Sequence, residues 1–223
     1  ARERRFTADA AHELRTPISV LTAQWSVYRG AAGDAERERA SRALDAGLAR
    51  QSRLVDQMLG LSRLEATDRL KDPKPHDWPA LVEQVMSDVL PLAERRRVEL
   101  ACDWGDAPDT AAATPAWRGD ANLMGLLLRN LLDNAVRYAP ERATVALRFS
   151  ANDVCVDNPA PPGLRPDDLA DWGERYHRPD GQSESGSGLG VSIARRIAEL
   201  HGLALVHRLS ADGQRVLAVL SGR

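Results

Sequence analysis

Two long series of apolar positions recur at helical spacing near the start of the chain. Leu14, Ile18, Leu21, Trp25 and Tyr28 follow at intervals of 4, 3, 4 and 3, and Ala11 extends the series backwards. That is a heptad seam on one helix. Gly30 and Gly33 interrupt it, and Asp34 is suited to cap a second helix, predicted over about 35–66. Here one stripe is Leu44, Leu48, Gln51, Val55 and Met58. A second is Gly47, Leu54, Leu61 and Glu65 around Met58. Two adjoining stripes are too wide for a two-stranded seam and suit a four-helix bundle. A lone hairpin would leave part of that face open. Pairing of two hairpins about a twofold axis covers it, because such a contact buries the same patch twice. A homodimer through the hairpin is therefore expected, the alternative being that the hairpin packs on the rest of its own chain.

Pro73, Pro75 and Pro79 fall among charged residues and mark an interdomain linker over 71–79. This divides the chain into a helical region, 1–70, and a second domain, 80–223. Beyond the linker the pattern turns mixed. Helices are predicted at about 78–95, 119–138 and 188–201, and strands at about 97–102, 143–149, 153–157, 203–209 and 214–220. Ser210-Ala211-Asp212-Gly213 is a hairpin-type turn between the last two strands. The strands do not alternate with helices as a βαβ series would. The fold class expected is an α-helical hairpin, dimerised as a four-helix bundle, followed by an α+β sandwich. Trp104 and Trp117 read as packing residues.

Composition narrows the functional classes. The 223 residues are 43% hydrophobic and 28% charged, the profile of a globular chain. Formal charge is -2, with 12 basic and 10 acidic residues up to residue 70 against 18 and 22 after it. Neither half has the basic excess of a nucleic-acid binder. No apolar run approaches the roughly 18 residues of a membrane span, and no signal peptide is visible. Cys102 and Cys155 are too few and too far apart for a disulfide framework or a zinc site.

Several residues stand out chemically. His12 falls beside the seam and faces water. Glu13 adjoins it, Thr16 lies one turn on, and Pro17 bends the helix locally. A neutral imidazole is a usable nucleophile, and an adjacent carboxylate can accept its proton. Asn130 and Asn134 share one face of an otherwise apolar helix, and amide oxygens are hard ligands suited to Mg²⁺. Gly186-Ser187-Gly188-Leu189-Gly190 runs into a helix, leaving backbone N–H groups free for phosphate.

The stretch from Phe6 to Ser19 around His12 resembles the phosphoacceptor box of bacterial sensor histidine kinases. The family's other motifs follow in its order. Leu127 to Tyr138 resembles the asparagine box. Gly186 to Gly190 resembles the second glycine box, at the end of the lid over ATP. The resemblance implies an ATPase fold shared with DNA gyrase and a heat-shock chaperone. It implies Asn134 as the Mg²⁺ ligand, Asn130 as support for metal and phosphates, and Arg137 and Tyr138 as phosphate contacts. Gly186, Gly188, Leu189 and Gly190 would close on the nucleotide, and Asp157 matches the aspartate that accepts from the adenine amino group. Gly173 to Arg178 resembles the phenylalanine-type box, with Arg178 approaching the γ-phosphate. His12 would then be phosphorylated from Mg²⁺-ATP with Glu13 as base, and would pass the phosphoryl group to an aspartate of a response regulator. Glu13 to Thr16 resembles the motif for dephosphorylating that regulator. By the same resemblance the chain is a cytoplasmic fragment of a parent in the bacterial inner membrane.

One departure matters. The family pattern Asp-x-Gly-x-Gly is replaced by Asp157-Asn158-Pro159-Ala160-Pro161-Pro162-Gly163. Proline fixes φ and has no N–H to donate. Weaker ATP binding than the family norm is expected, and replacing Pro159 and Pro161 with Gly should tighten it. The competing reading is a weak or silent kinase that docks and dephosphorylates its regulator. A plain ATPase or a serine-directed kinase on the same nucleotide fold is disfavoured by the His12 box.

Overall fold

The computed structural model describes residues 18–65, 67–105, 114–169 and 190–222. The chain divides into two compact units, Ala1–Arg63 and Leu64–Arg223.

In the first unit residues 18–30 form helix α1 and Asp34–Glu65 form helix α2. Asp34 and Glu36 lie in the first turn of α2, where negative charge favours the helix dipole. Glu36 also accepts from the Ala32 N–H at 3.1 Å, which closes the connection. The helices meet closely at Gly47. A Cβ there would come within 2.5 Å of Gln24 Oε1 and 2.7 Å of Leu21 Cδ2, so a larger residue would have to push the tips of those side chains aside. Leu21, Gln24, Tyr28 and Leu44 are half-buried, whereas Ile18, Trp25, Leu48 and Val55 remain exposed. Among the described residues, these four apolar positions have no cover within one hairpin.

The second unit begins within the last turn of α2. The Pro-rich stretch is part of this unit: Lys74–Pro75 forms β1 and pairs antiparallel with β3, Arg118–Gly119. Strands of two residues have no alternation to read, which is why sequence periodicity misses both. Helix α3 spans Trp78–Arg96. Its cap is Asp77, which accepts from the Ala80 N–H at 3.2 Å, and Arg97 closes it in the left-handed region at φ 53°. Helix α4, Ala121–Tyr138, is capped by Asp120, which accepts from the Leu123 N–H at 3.0 Å. Helix α5 spans Gly190–Leu200.

The remaining strands are β2 (Glu99–Asp103), β4 (Thr144–Phe149), β5 (Asp153–Pro159), β6 (Leu203–Leu209) and β7 (Arg215–Gly222). They form one sheet in the order β2-β4-β5-β7-β6, with β2 and β4 parallel and the other pairs antiparallel. Side chains alternate between faces along each strand. One face presents Val145, Leu147 and Phe149 from β4, Val154 and Val156 from β5, and Val216, Ala218 and Leu220 from β7, all buried. The helices cover that face, with α4 packed between α3 and α5. Met124, Leu127, Leu128 and Leu132 of α4 are fully buried. Each such side chain contributes about 1.5–3 kcal/mol of transfer free energy. The other face carries Arg148, Cys155, Asp157, Leu217 and Val219 and stays partly open.

An aromatic cluster closes one end of this core. Trp78, 3% exposed, meets Trp117 at 5.8 Å and Phe149 at 5.3 Å between ring centroids, and Trp104 stacks on Phe149 at 4.7 Å. The Trp78 indole N–H donates to the Pro115 carbonyl at 2.8 Å. Trp104 and Trp117 are packing residues, as expected.

Candidate functional site

The polar edge of α4 faces the start of α5. Asn130 and Asn134 project from α4 one turn apart. Asn130 is 8% exposed, and its Nδ2 donates to the Leu126 carbonyl at 2.8 Å. That bond orients the amide. Gly190, the first residue of α5, lies directly against both asparagines. A Cβ on Gly190 would stand 3.1 Å from Asn130 Oδ1 and 3.5 and 3.7 Å from the Asn134 amide. The first N–H groups of a helix have no partner within it and carry the positive end of its dipole. Two amides and a helix start therefore converge, which suits an anionic ligand with a hard cation. Asn134 is half-buried. Among the described residues no cluster of three or more His, Cys, Asp or Glu could hold a metal instead.

Arg137 and Tyr138 close the last turn of α4 and are partly exposed. Arg137 lies 3.7 Å from Asp133 Oδ2, an i,i+4 pair loose enough to exchange for a phosphate. Its carbonyl accepts from Arg96 at 2.9 Å, which ties the end of α4 to α3. Further along α5, Arg196 donates to the carbonyls of Leu64 at 3.3 Å and Thr67 at 2.8 Å.

Asp157 does not face this site. It lies on the sheet face away from the helices, in step with Cys155 and Arg148. Its Oδ2 accepts from Arg148 Nε at 2.9 Å and its Oδ1 from Arg215 Nε, and the residue is 3% exposed. The next residue, Asn158, has the opposite parity and continues the buried series Val154, Val156 on the helix side. Motif matching passed over Asn158. The alternation of apolar positions at 154 and 156 was the signal that could have found it.

Cys102 and Cys155 are free. Burial first, then the carboxylates of Asp103 and Asp157 respectively, pushes each thiol up to about 11. Neither is a thiolate at neutral pH, so thiol chemistry is not part of this site.

Residues 2–67 match the His Kinase A (phospho-acceptor) domain, and residues 119–221 match the Histidine kinase-, DNA gyrase B-, and HSP90-like ATPase family. The chain belongs to the bacterial two-component sensor histidine kinases. It is 40% identical over 213 residues to sensor protein QseC of Salmonella typhi, covering 95% of this chain and 46% of that one. It is 30% identical to sensor histidine kinase CusS of Escherichia coli K12 over 227 residues, 98% of this chain and 45% of that one. The chain thus spans about half the length of these curated relatives. Among solved structures, the cytoplasmic segment of histidine kinase QseC aligns with a TM-score of 0.52 at 27% identity. That alignment covers 78% of this chain and 93% of that one. The Acinetobacter baumannii histidine kinase AdeS aligns at 0.68 and 20% identity, over 94% and 95%, a likeness of fold.

In this kinase chain the asparagine box and Gly190 are brought together. His12, Glu13, Thr16, Arg178, Gly186, Gly188 and Leu189 lie outside the described residues. No helix among the described residues is long and apolar enough to cross a membrane.

Proposed function

We propose that the chain is the catalytic core of a sensor histidine kinase that phosphorylates His12 from ATP and passes the phosphoryl group to an aspartate of a response regulator. One observation carries the reading. Two sequence-distant motifs, the Asn130/Asn134 pair and Gly190, meet side by side on the helix layer. An ATP polyphosphate would lie between them, held by α5 backbone N–H groups and by Arg137 once it releases Asp133. Asn134 would hold Mg²⁺, with Asn130 beside it. When bound, the ion neutralises charge on the phosphate oxygens. A nitrogen of the His12 imidazole attacks the γ-phosphorus in line. A P–N bond forms, the bond from γ-phosphorus to the bridging oxygen breaks, and ADP leaves. Glu13 takes the imidazole proton, and Arg178 meets charge on the transferring oxygens. A regulator carboxylate then displaces the imidazole and becomes an acyl phosphate. Thr16 would orient water for the reverse, hydrolytic activity on the regulator. The exposed hairpin stripe supports a homodimer through α1 and α2. The parent is placed in the bacterial inner membrane with this part in the cytoplasm, in keeping with the QseC segment.

The test is incubation with γ-labelled Mg²⁺-ATP, comparing wild type with His12→Gln, then acid and alkali challenge. Acid-labile, alkali-stable label in wild type alone is expected. No label with nucleotide binding intact would favour a docking and phosphatase module. That second reading draws on the β5 exit, where Pro159 ends the strand and Pro161 and Pro162 follow without N–H donors. Thr16→Ala is expected to spare labelling and slow dephosphorylation of the regulator; equal loss of both would merge the two roles.

A further inference from the structure

We propose that Asn158, not Asp157, reads the nucleotide base, and that Asp157 is a structural counter-ion on the far face of the sheet. The assignment rests on the kinase reading above and names the residue that would select its nucleotide.

Parity is the first ground. Asn158 follows Val154 and Val156 on the face that the helices cover, and pairs with the equally buried Val216 of β7. Helix α4, which carries Asn130 and Asn134, packs across β5 on that same face. Asp157 points the other way, and a strand cannot turn one residue over without moving its neighbours too.

Availability is the second. Both carboxylate oxygens of Asp157 are engaged, one by Arg148 and one by Arg215, and Arg215 also donates to the Thr144 carbonyl at 3.0 Å. Freeing Asp157 for a base would break two ion pairs to a carboxylate that is almost fully buried. Asn158 is set differently. Its Nδ2 donates to the Pro159 carbonyl at 2.9 Å, which fixes the amide and leaves Oδ1 as the group on offer. No described residue donates to that oxygen.

Chemistry follows from the oriented amide. A lone acceptor opposite the 6-position of a purine takes a hydrogen bond from an exocyclic amine, as in adenine. A 6-oxo base would set oxygen against oxygen. Asn158 therefore selects adenine as a carboxylate would, but with a neutral acceptor. Hydrogen bonds to neutral groups are about half as strong as charge-assisted ones. Weak nucleotide binding then has a source in Asn158 as well as in the prolines after it.

The experiment is calorimetric titration of the full chain with ADP and with inosine diphosphate, alongside thermal melting. Wild type is expected to prefer ADP by about tenfold or more, the scale of one buried polar mismatch. Asn158→Ala should weaken ADP binding by a similar factor and erase the preference, with a smaller fall in Tm than Asp157→Asn. Asn158→Asp, which keeps an acceptor, should retain the preference. Asp157→Asn should lower the Tm while the folded protein keeps the ADP-to-inosine-diphosphate ratio of wild type. A lost ratio in Asp157→Asn, or a wild-type ratio in Asn158→Ala, would overturn the assignment. Failure of wild type to bind either nucleotide would overturn the kinase reading and the assignment with it.

Discussion

The helical hairpin and the α+β unit use apolar residues in opposite ways. The second unit closes its core within its own chain: Met124, Leu127, Leu128, Leu132, Val145 and Leu147 show no exposure at all. The hairpin leaves Ile18 53%, Trp25 48% and Leu48 52% exposed. The second unit thus covers its own core, and the hairpin does not cover all of its described apolar positions. If the proposed homodimer supplies the missing cover, the stability of the hairpin should depend on protomer concentration.

The sharpest way to break this contrast is to empty the closed core. Leu132→Ala is expected to cost about 3–4 kcal/mol, a transfer loss plus a cavity that close packing cannot refill. Its Tm should fall by several degrees, with hairpin dimerisation intact by sedimentation. A coupled loss of the dimer would mean that the units do not stand apart energetically. Next comes the open stripe. Trp25→Glu with Leu48→Glu should weaken the dimer by roughly 2–3 kcal/mol, and leave the melting of the second unit where it was. An unchanged dimer would place the interface elsewhere on α1 and α2.

The smallest effect separates the units by pH. Burial first, then the positive charge of Arg195, brings His207 down to about 4 from 6.5. Burial first, then His201, also lowers His76 against the opposing pull of Asp120. A histidine with a depressed folded pKa is neutral in the fold. Its contribution is whole above pH 6.5 and is lost as pH falls from 6.5 towards 4. For His207 that loss is roughly 2 kcal/mol over the window. The described part of the hairpin holds no histidine. Melting of the second unit should therefore carry most of the slope between pH 6.5 and 5, and His207→Gln should flatten it. Equal slopes in both units would refute the assignment.

Much of this architecture was legible in the sequence, for reasons that differ by element. Helices α2, α3 and α4 advertise themselves by period, Asp77 and Asp120 cap their helices as acceptors, and Asp34 lies in the first turn of α2. The pairing of β1 with β3 was not legible, because it spans two residues and depends on how the proline-rich stretch lies against Arg118 and Gly119. The site was half legible. Asn130, Asn134 and Gly190 were named by motif and are neighbours in space. Asp157 was named by motif and lies on the sheet face away from the helices, because a motif records chemical type at a position and not the parity of a strand. Val154, Val156 and Asn158 held that parity in plain view. The Arg215 half of the guanidinium clamp could not be foreseen, since it reaches Asp157 from 58 residues further along the chain.

Two of the five tryptophans sit in contrasting surroundings. Trp78 is sealed among rings in the second unit, while Trp25 lies half in water on the hairpin, stacked on Tyr28 at 5.5 Å. The first should emit towards the blue and the second towards the red. The emission of Trp25 should shift as two hairpins meet, while that of Trp78 holds until its own unit unfolds. Subtracting the emission of Trp25→Phe removes the other four tryptophans and leaves the signal of assembly, while that variant alone reports unfolding, without a label.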